Sequence, residues 1–264
     1  MTAMAGSRTL GALTILALQD AEGPFFDTRE AAFPDATAAQ WAAADAFDPA
    51  ARTADGGWWL RFRSFAIRYA DGPVTLVDAG IGPADAPARS WAPVPGRLPD
   101  ELAAAGIKPR DVTAIVLTHL HSDHIGWAMP ASTPFTSARV IVPKADVEAF
   151  APLRSDDLFE PLRSAGRLEI LDSEAEIGPG VRVVPTPGHT PGHQSVLVSA
   201  GGERLLVTGD LLVHAVQLLH PELAYAHDMD PDLARISRVA ALGRGGELAV
   251  SHLGTPWLAA RPIS

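Results

Sequence analysis

Apolar and polar positions alternate between Trp58 and Tyr69: Trp58, Leu60 and Phe62, then Phe65, Ile67 and Tyr69. A period of two predicts a long strand, and the slip after Phe62 predicts a bulge within it. The apolar run 10–18 predicts an opening strand, followed by a turn over 19–24. An alanine-rich stretch from 36 to about 47, with Asp35 placed to cap it and Trp41 as its large apolar group, predicts a helix. Asp71-Gly72-Pro73 is a turn that sets off the strand 74–77, which ends at Asp78-Ala79-Gly80. The stretch 83–99 holds five prolines and no periodicity, so it reads as a surface loop, and a short helix over 99–105 stops at Gly106. The continuous apolar run 112–117 reads as a strand buried on both faces. Further strands are predicted at 139–142, 167–171, 181–184, 195–198, 204–207 and 248–250, with Gly201-Gly202 as a hairpin turn. Helices are predicted at 144–150, at 157–165, and from Asp230-Pro231 to 242, where Gly243 ends the last one. The strands gather in two sets, each followed by helices, without a short repeat. One α/β domain over residues 1–264 is the expectation, with its core at about 10–257.

Composition excludes several classes of function. Thirty-one acidic residues against 21 basic ones give a net charge of −10, the opposite of what phosphate neutralisation requires. Nucleic acid and anionic membrane surfaces are therefore not expected partners. No segment reaches the ~18–20 apolar residues of a membrane span, and the run 10–18 lacks the small-residue cleavage site of a secretory signal. The expectation is a cytoplasmic protein, monomer or homodimer, acting on a small molecule. The absence of cysteine removes disulfides, thiolate nucleophiles and thiolate metal ligands. Any transition-metal chemistry falls to the nine histidines and the carboxylates.

Candidate chemistry concentrates in Thr118-His119-Leu120-His121-Ser122-Asp123-His124, directly after the buried strand. In an extended backbone His119, His121 and Asp123 share one side, and a tight turn swings His124 beside them. Imidazole and carboxylate without thiolate suit Zn²⁺, Mn²⁺, Fe²⁺ or Co²⁺.

This segment resembles the His-x-His-x-Asp-His signature of the metallo-β-lactamase-fold hydrolases. Other landmarks of that family stand in chain order. They are Asp78-Ala79-Gly80 after a strand, Gly188-His189-Thr190-Pro191-Gly192-His193, Thr208-Gly209-Asp210, and Ser251-His252 after the final strand. The resemblance implies a four-layer αββα sandwich with the metal loops gathered at one edge. It implies two divalent transition-metal ions, zinc foremost, with manganese, iron or cobalt as substitutes. One ion takes His119, His121 and His189, the other takes Asp123, His124 and His252, and Asp210 bridges them. A hydroxide between two cations ~3.5–4 Å apart is then the nucleophile. His193 and Asp78 are expected to support ligands and not to bind metal. Asp123 is the candidate leaving-group acid, and Tyr225 a candidate for holding the substrate oxygen. His214, His220 and His227 read as packing or surface residues, Trp58 and Trp59 as packing. Phe25, Phe26, Phe33, Trp127 and Met129 are candidate pocket walls.

Departures from particular branches narrow the function. His121 stands where the di-iron redox branch has glutamate, and the added flavin domain of that branch is not expected here. The extra domains and basic surface of the RNA-processing branch are absent, and so is the cysteine ligand of the thiolate-containing β-lactamases. The resemblance is to the dinuclear lactonase and methyl parathion hydrolase-like branches. It implies a hydrolase of lactones or esters, similar to the acyl-homoserine lactonases. The alternatives are a phosphotriesterase, a glyoxalase II-like thioesterase and a mononuclear iron persulfide dioxygenase.

Overall fold

The computed structural model describes residues 6–129, 133–151, 158–244 and 246–259. Among them, the first sheet is built from β1 Ser7–Leu10, β2 Leu13–Pro24, β3 Trp59–Arg68, β4 Val74–Val77, β5 Val112–Val116, β6 Arg139–Pro143 and β7 Leu168–Leu171, in that spatial order. It is antiparallel from β1 to β4 and parallel from β4 to β7. The second sheet is built from β8 Ala175–Gly178, β9 Val181–Pro185, β10 Gln194–Ala200, β11 Glu203–Val207, β12 Glu247–Ala249 and β13 Trp257–Ala259, in the order β13-β12-β11-β10-β9-β8. Only β11 and β12 run parallel there. The helices are α1 Arg29–Ala32, α2 Ala38–Phe47, α3 Leu98–Ala104, α4 Ser122–Ile125, α5 Lys144–Phe150, α6 Glu160–Ser164, α7 Ala215–Leu219 and α8 Pro231–Gly243.

Strand alternation explains the layering. Phe65 and Ile67 of β3 meet Val196 and Val198 of β10 and Leu205 and Val207 of β11 in a core between the two sheets. The intervening Ala66 faces outward, into a second core closed by Leu98 and Leu102 of α3 and Leu162 of α6. Leu206 and Leu248 face the opposite way and pack with Trp41 of α2, Val216 of α7 and Leu242 of α8. Three apolar layers between two sheets and two helical coats make the αββα sandwich. Burying one such side chain is worth roughly 1.5–3 kcal/mol, which is what holds each layer to the next.

Several local expectations need correction. The opening strand is a hairpin, β1 and β2, turning at Gly11. The bulge lies in β2 and not β3: Gln19 pairs with Arg63 and Ala21 with Phe62, leaving Asp20 over. The slip in the apolar pattern of β3 arises because Arg63 and Ser64 are themselves buried. The cap of α2 is Thr37, which accepts from the Gln40 N–H while the Gln40 side chain accepts from Thr37, so Asp35 plays no part. β8 and β13 are absent from the hydrophobic pattern. The helix expected at 157–165 is α6, and its predicted start at Asp157 lies outside the described residues. No helix among the described residues is long and apolar enough to cross a membrane.

His214 sits in the outer core with its ring against Phe33, Trp41 and Trp58, and its Nδ1 accepts from the Val216 N–H at the start of α7. Burial, and then Arg29, push its pKa down to about 3. An unfolded histidine titrates near 6.5. The folded state therefore favours the neutral ring, and that stabilisation is complete above about pH 6.5 and is lost as pH falls toward 3. His214→Asn keeps an acceptor for the Val216 N–H and removes the titration. Its denaturation midpoint is expected to fall less steeply than the parent's between these limits, measured by urea unfolding across pH.

Candidate metal centre

Each loop that carries a candidate ligand leaves the end of a strand: β5 leads to His119–His124, β9 to His189, β11 to Asp210 and β12 to His252, and β4 leads to the supporting Asp78. These loops meet at one edge of the sandwich. The side chains of His119, His121, His189 and Asp210 converge so that their ligand atoms lie within 4.8 Å of one another, and those of Asp123, His124 and His252 do the same. The backbone route differs from the expectation. Residues 122–125 form the single turn α4, with His121 at its N-cap, so Asp123 turns toward His124 and His252 and not toward His119 and His121.

Asp210 connects the two groups. Its Oδ1 lies 3.0 Å from His252 Nε2 and 3.1 Å from His124 Nε2, and its Oδ2 lies 3.2 Å from His189 Nε2 and 3.7 Å from His119 Nε2. Asp123 Oδ2 lies 3.4 Å from His124 Nε2 and 3.7 Å from His252 Nε2.

Behind the imidazoles, hydrogen bonds fix which nitrogen points inward. His124 Nδ1 meets Asp78 Oδ2 at 2.8 Å, and His252 Nδ1 donates to the Arg61 carbonyl at 2.7 Å. His189 Nδ1 meets Asp228 Oδ1 at 2.9 Å. Thr118 Oγ1 donates to Asp78 and so accepts from His119 Nδ1 at 3.0 Å. The network thus assigns the proton of these four rings to Nδ1 and aims their Nε2 lone pairs into the site, whereas His121 presents Nδ1.

These inward atoms fit cations. His119 Nε2 is buried without a hydrogen-bond partner. His189 Nε2 faces His121 Nδ1 at 3.0 Å, and His252 Nε2 faces His124 Nε2 at 3.3 Å. Lone pairs set so close repel unless positive charge lies between them. Burial and the neighbouring His189 push His121 down to about 3, and burial with neighbouring imidazoles pushes His119 down as well. Burial also opposes charge on His124 and His189. Asp210 with Asp123 and Asp78 outweighs it at His124 and raises that group; Asp210 with Asp228 raises His189 to about 9.

Supporting residues complete the frame. Asp78 adopts φ 60°, the left-handed region, a conformation that costs a non-glycine residue about 1–3 kcal/mol. Hydrogen bonds from Thr118 N and Oγ1 to its carboxylate hold it there. His193 binds Thr186 through Nδ1 and accepts the Asp210 N–H at 3.0 Å, so it holds the backbone of Asp210. Sequence reasoning missed Asp228, behind His189, and three others. Asp146 accepts from Leu120 N, Thr190 Oγ1 and Gly192 N, pinning the first histidine loop to the His189 loop. Asp20 accepts from Ile81 N, Leu98 N and Trp127 Nε1 beside the Asp78 turn. Arg63 donates to the carbonyls of Leu253 and Gly254, beyond His252. Each is an ordinary charged residue locally, and only the tertiary fold reveals its partners.

A cavity of about 300 Å³ opens over the two clusters. Phe25, Phe26, Trp58, Leu60, Trp91, Val213, Tyr225 and His227 wall it, and Asp123 and Asp210 are among the groups at its floor. Of the expected walls, Phe33 lies behind Tyr225, stacked at 5.0 Å, while Trp127 and Met129 belong to the core under the first sheet. Trp58, read from sequence as packing, also faces the cavity, as does His227, whereas His220 lies 3.6 Å from Glu222 outside the lining. Tyr225 stacks on the His189 ring at 6.0 Å. Burial, then the carboxylates of Asp210, Asp123 and Asp228, push its phenol well above the usual range, so it is a neutral donor at ordinary pH.

An N-acyl homoserine lactonase of Bacillus cereus is 36% identical over 102 residues, 39% of this chain and 39% of its own. One of Bacillus thuringiensis is 32% identical over 139 residues, 52% of this chain and 53% of its own. The chain therefore matches about two fifths to about half of the length of these curated relatives. Among solved structures, the hydrolase AbOPH of the beta lactamase superfamily has a TM-score of 0.78 at 24% identity, covering 99% of this chain and 98% of its own. AidC, a dizinc quorum-quenching lactonase, has a TM-score of 0.76 at 21% identity, covering 98% and 97%. At these identities the likeness is one of fold. The sequence profile of the metallo-beta-lactamase superfamily matches residues 63–250, a stretch that takes in the Asp78 turn, the His119–His124 segment, His189 and Asp210. Profile and sandwich agree, and the chain belongs to the metallo-beta-lactamase superfamily.

Proposed function

We propose that the protein is a dinuclear metal-dependent hydrolase that opens the carbonyl of a small lactone or ester. The observation that carries this reading is the split of Asp210, one oxygen toward His119 and His189 and the other toward His124 and His252, at the floor of a largely aromatic cavity. His119, His121, His189 and Asp210 would hold one ion; Asp123, His124, His252 and Asp210 would hold the other. Zinc suits this imidazole and carboxylate set, as do manganese, iron and cobalt. Two such ions lower the pKa of water and polarise the scissile carbonyl. All seven side chains come from one chain, so monomer and homodimer serve equally.

The lining includes no lysine or arginine among the described residues, so the cavity suits a neutral substrate. That argues against a glutathione thioester, whose carboxylates call for a basic clamp. Phe25, Phe26, Trp58 and Trp91 offer faces for an acyl chain or an aryl group. The N-acyl homoserine lactonases among the relatives point the same way. The aromatic wall also favours a second reading, a neutral phosphotriester with an aryl leaving group. Tyr225 donates a hydrogen bond from its phenol to the substrate oxygen as charge builds there. Asp123 accepts the proton released by the attacking water and passes it to the leaving oxygen. A hydrolysis panel of lactones, aryl esters, organophosphates, thioesters and a chromogenic β-lactam, run on metal-reconstituted protein, tests the reading. Lactones or esters are expected to turn over fastest, and preference for a thioester or β-lactam would refute it.

The role of Asp123 has its own test. An aliphatic alcohol needs a proton as its bond breaks, and a nitrophenolate hardly does. Asp123→Asn with both ions retained is expected to lose ~10²–10⁴-fold on an aliphatic lactone and far less on a nitrophenyl ester. Equal losses on both substrates would remove Asp123 from the acid role.

A further inference from the structure

We propose that Asp228 and Arg238 are positioning residues that set the affinity of the His119–His121–His189 metal position separately from that of its neighbour. The inference rests on the two-metal reading above and concerns residues outside both ligand clusters.

Three observations carry it. Asp228 and Arg238 have almost no exposed side-chain surface, 1% for each. Asp228 Oδ1 takes the outward nitrogen of His189 at 2.9 Å, while its Oδ2 lies 3.5 Å from Arg238 Nη2 and makes no hydrogen bond. Arg238 spends its other donors on backbone carbonyls, Leu211 at 3.1 Å, Leu223 at 2.9 Å and Pro221 at 3.4 Å. Leu211 follows the bridging Asp210 directly. One guanidinium on α8 therefore reaches both the chain beside the bridging carboxylate and the acid that backs His189.

The electrostatics follow from this geometry. A buried carboxylate on Nδ1–H strengthens the electron donation of the opposite ring nitrogen and fixes the plane of the ring. The same carboxylate needs a counter-charge to stay buried, and Arg238 is the cation it faces. The second position is built differently. Asp78 backs His124, and its further partners are the neutral donors Thr118 N and Thr118 Oγ1. Each metal position thus has one imidazole backed directly by a carboxylate. Asp228 hydrogen-bonds to no ligand of the second position, whereas the Asp78 network also reaches His119 through Thr118 Oγ1. A change at Asp228 should therefore act on one ion.

Chelator-competition titration of the full chain with zinc, resolving both dissociation constants, tests this. Asp228→Asn preserves shape and a hydrogen-bond acceptor while removing the charge. It is expected to weaken one ion by ~10–100-fold and leave the other unchanged, and Asp78→Asn, which removes the carboxylate behind His124, is expected to weaken at least that other ion. A cobalt-substituted Asp228→Asn protein should show altered d–d bands for one ion alone. Equal weakening of both ions by Asp228→Asn, or parent-like affinity for both, would overturn the proposal. A second measurement needs no variant. In the zinc-loaded parent protein, the His189 Nδ1–H should give a slowly exchanging, strongly downfield NMR resonance coupled to a ring nitrogen, and its absence would also overturn the proposal. A parent protein that binds fewer than two ions would refute the two-metal reading and this inference with it. Two ions in the parent with an indifferent Asp228→Asn would refute this inference alone.

Discussion

Asp210→Ala is expected to lose turnover by on the order of 10³-fold or more and to release at least one of two bound ions. The carboxylate lies 3.0–3.2 Å from the Nε2 atoms of His252, His124 and His189, a span no other side chain in the site covers. Without it two cations face each other across a short gap with only neutral imidazoles and Asp123 around them. Little else in the frame depends on the Asp210 side chain. The backbone is held through its own N–H by His193, so the loop should keep its path. Ester or lactone hydrolysis measured alongside elemental analysis reads both effects. A variant that kept two ions and near-normal turnover would show that Asp210 does not bridge.

The second large effect falls on stability. Gly188 stands at φ +130°, and a Cβ added there would come within 2.0 Å of Ala234 N and 2.3 Å of Ala234 Cα in α8. The contact is backbone against backbone, so no side-chain rotation relieves it. The loop is also tied to the start of that helix, through Asp230 N to the Gly188 carbonyl at 2.9 Å and Met229 N to the His189 carbonyl at 3.1 Å. Gly188→Ala must push α8 outward, and Asp228, two residues before its N-cap, moves with it. A loss of more than about 4 kcal/mol is expected from urea unfolding. Gly72→Ala is the control. Its φ of +108° carries a backbone cost of roughly 1–3 kcal/mol, but nothing lies within 4 Å of the added methyl. Equal losses in the two variants would contradict the packing described here.

The ligand residues are readable in the sequence because each follows a strand that announces itself. The run 112–117 is apolar throughout, so the polar cluster after it stands out as a break with a purpose. The same holds for Asp210 after β11 and His252 after β12. What could not be read is the layer behind them. Asp228, Asp146, Asp20 and Arg63 look like solvated charges in their local windows, and their partners, between 10 and 191 residues away along the chain, meet them only on folding. β8 and β13 are short edge strands whose few residues show no period. Trp127 was assigned to the cavity and lies against the core under the first sheet, while Trp58 packs in the core as read and also lines the cavity, because one residue type serves both places. The cap of α2 fell to Thr37 instead of Asp35 because Gln40 is positioned to answer it.

The most direct test titrates metal-free protein with zinc and follows lactone ring opening by pH-stat in the same samples whose bound metal is counted. The account predicts saturation at two ions per chain, with hydrolysis appearing as the second position fills and disappearing on chelation. Saturation at one ion, with oxygen uptake on a persulfide in the iron-loaded protein and no lactone hydrolysis, would contradict it.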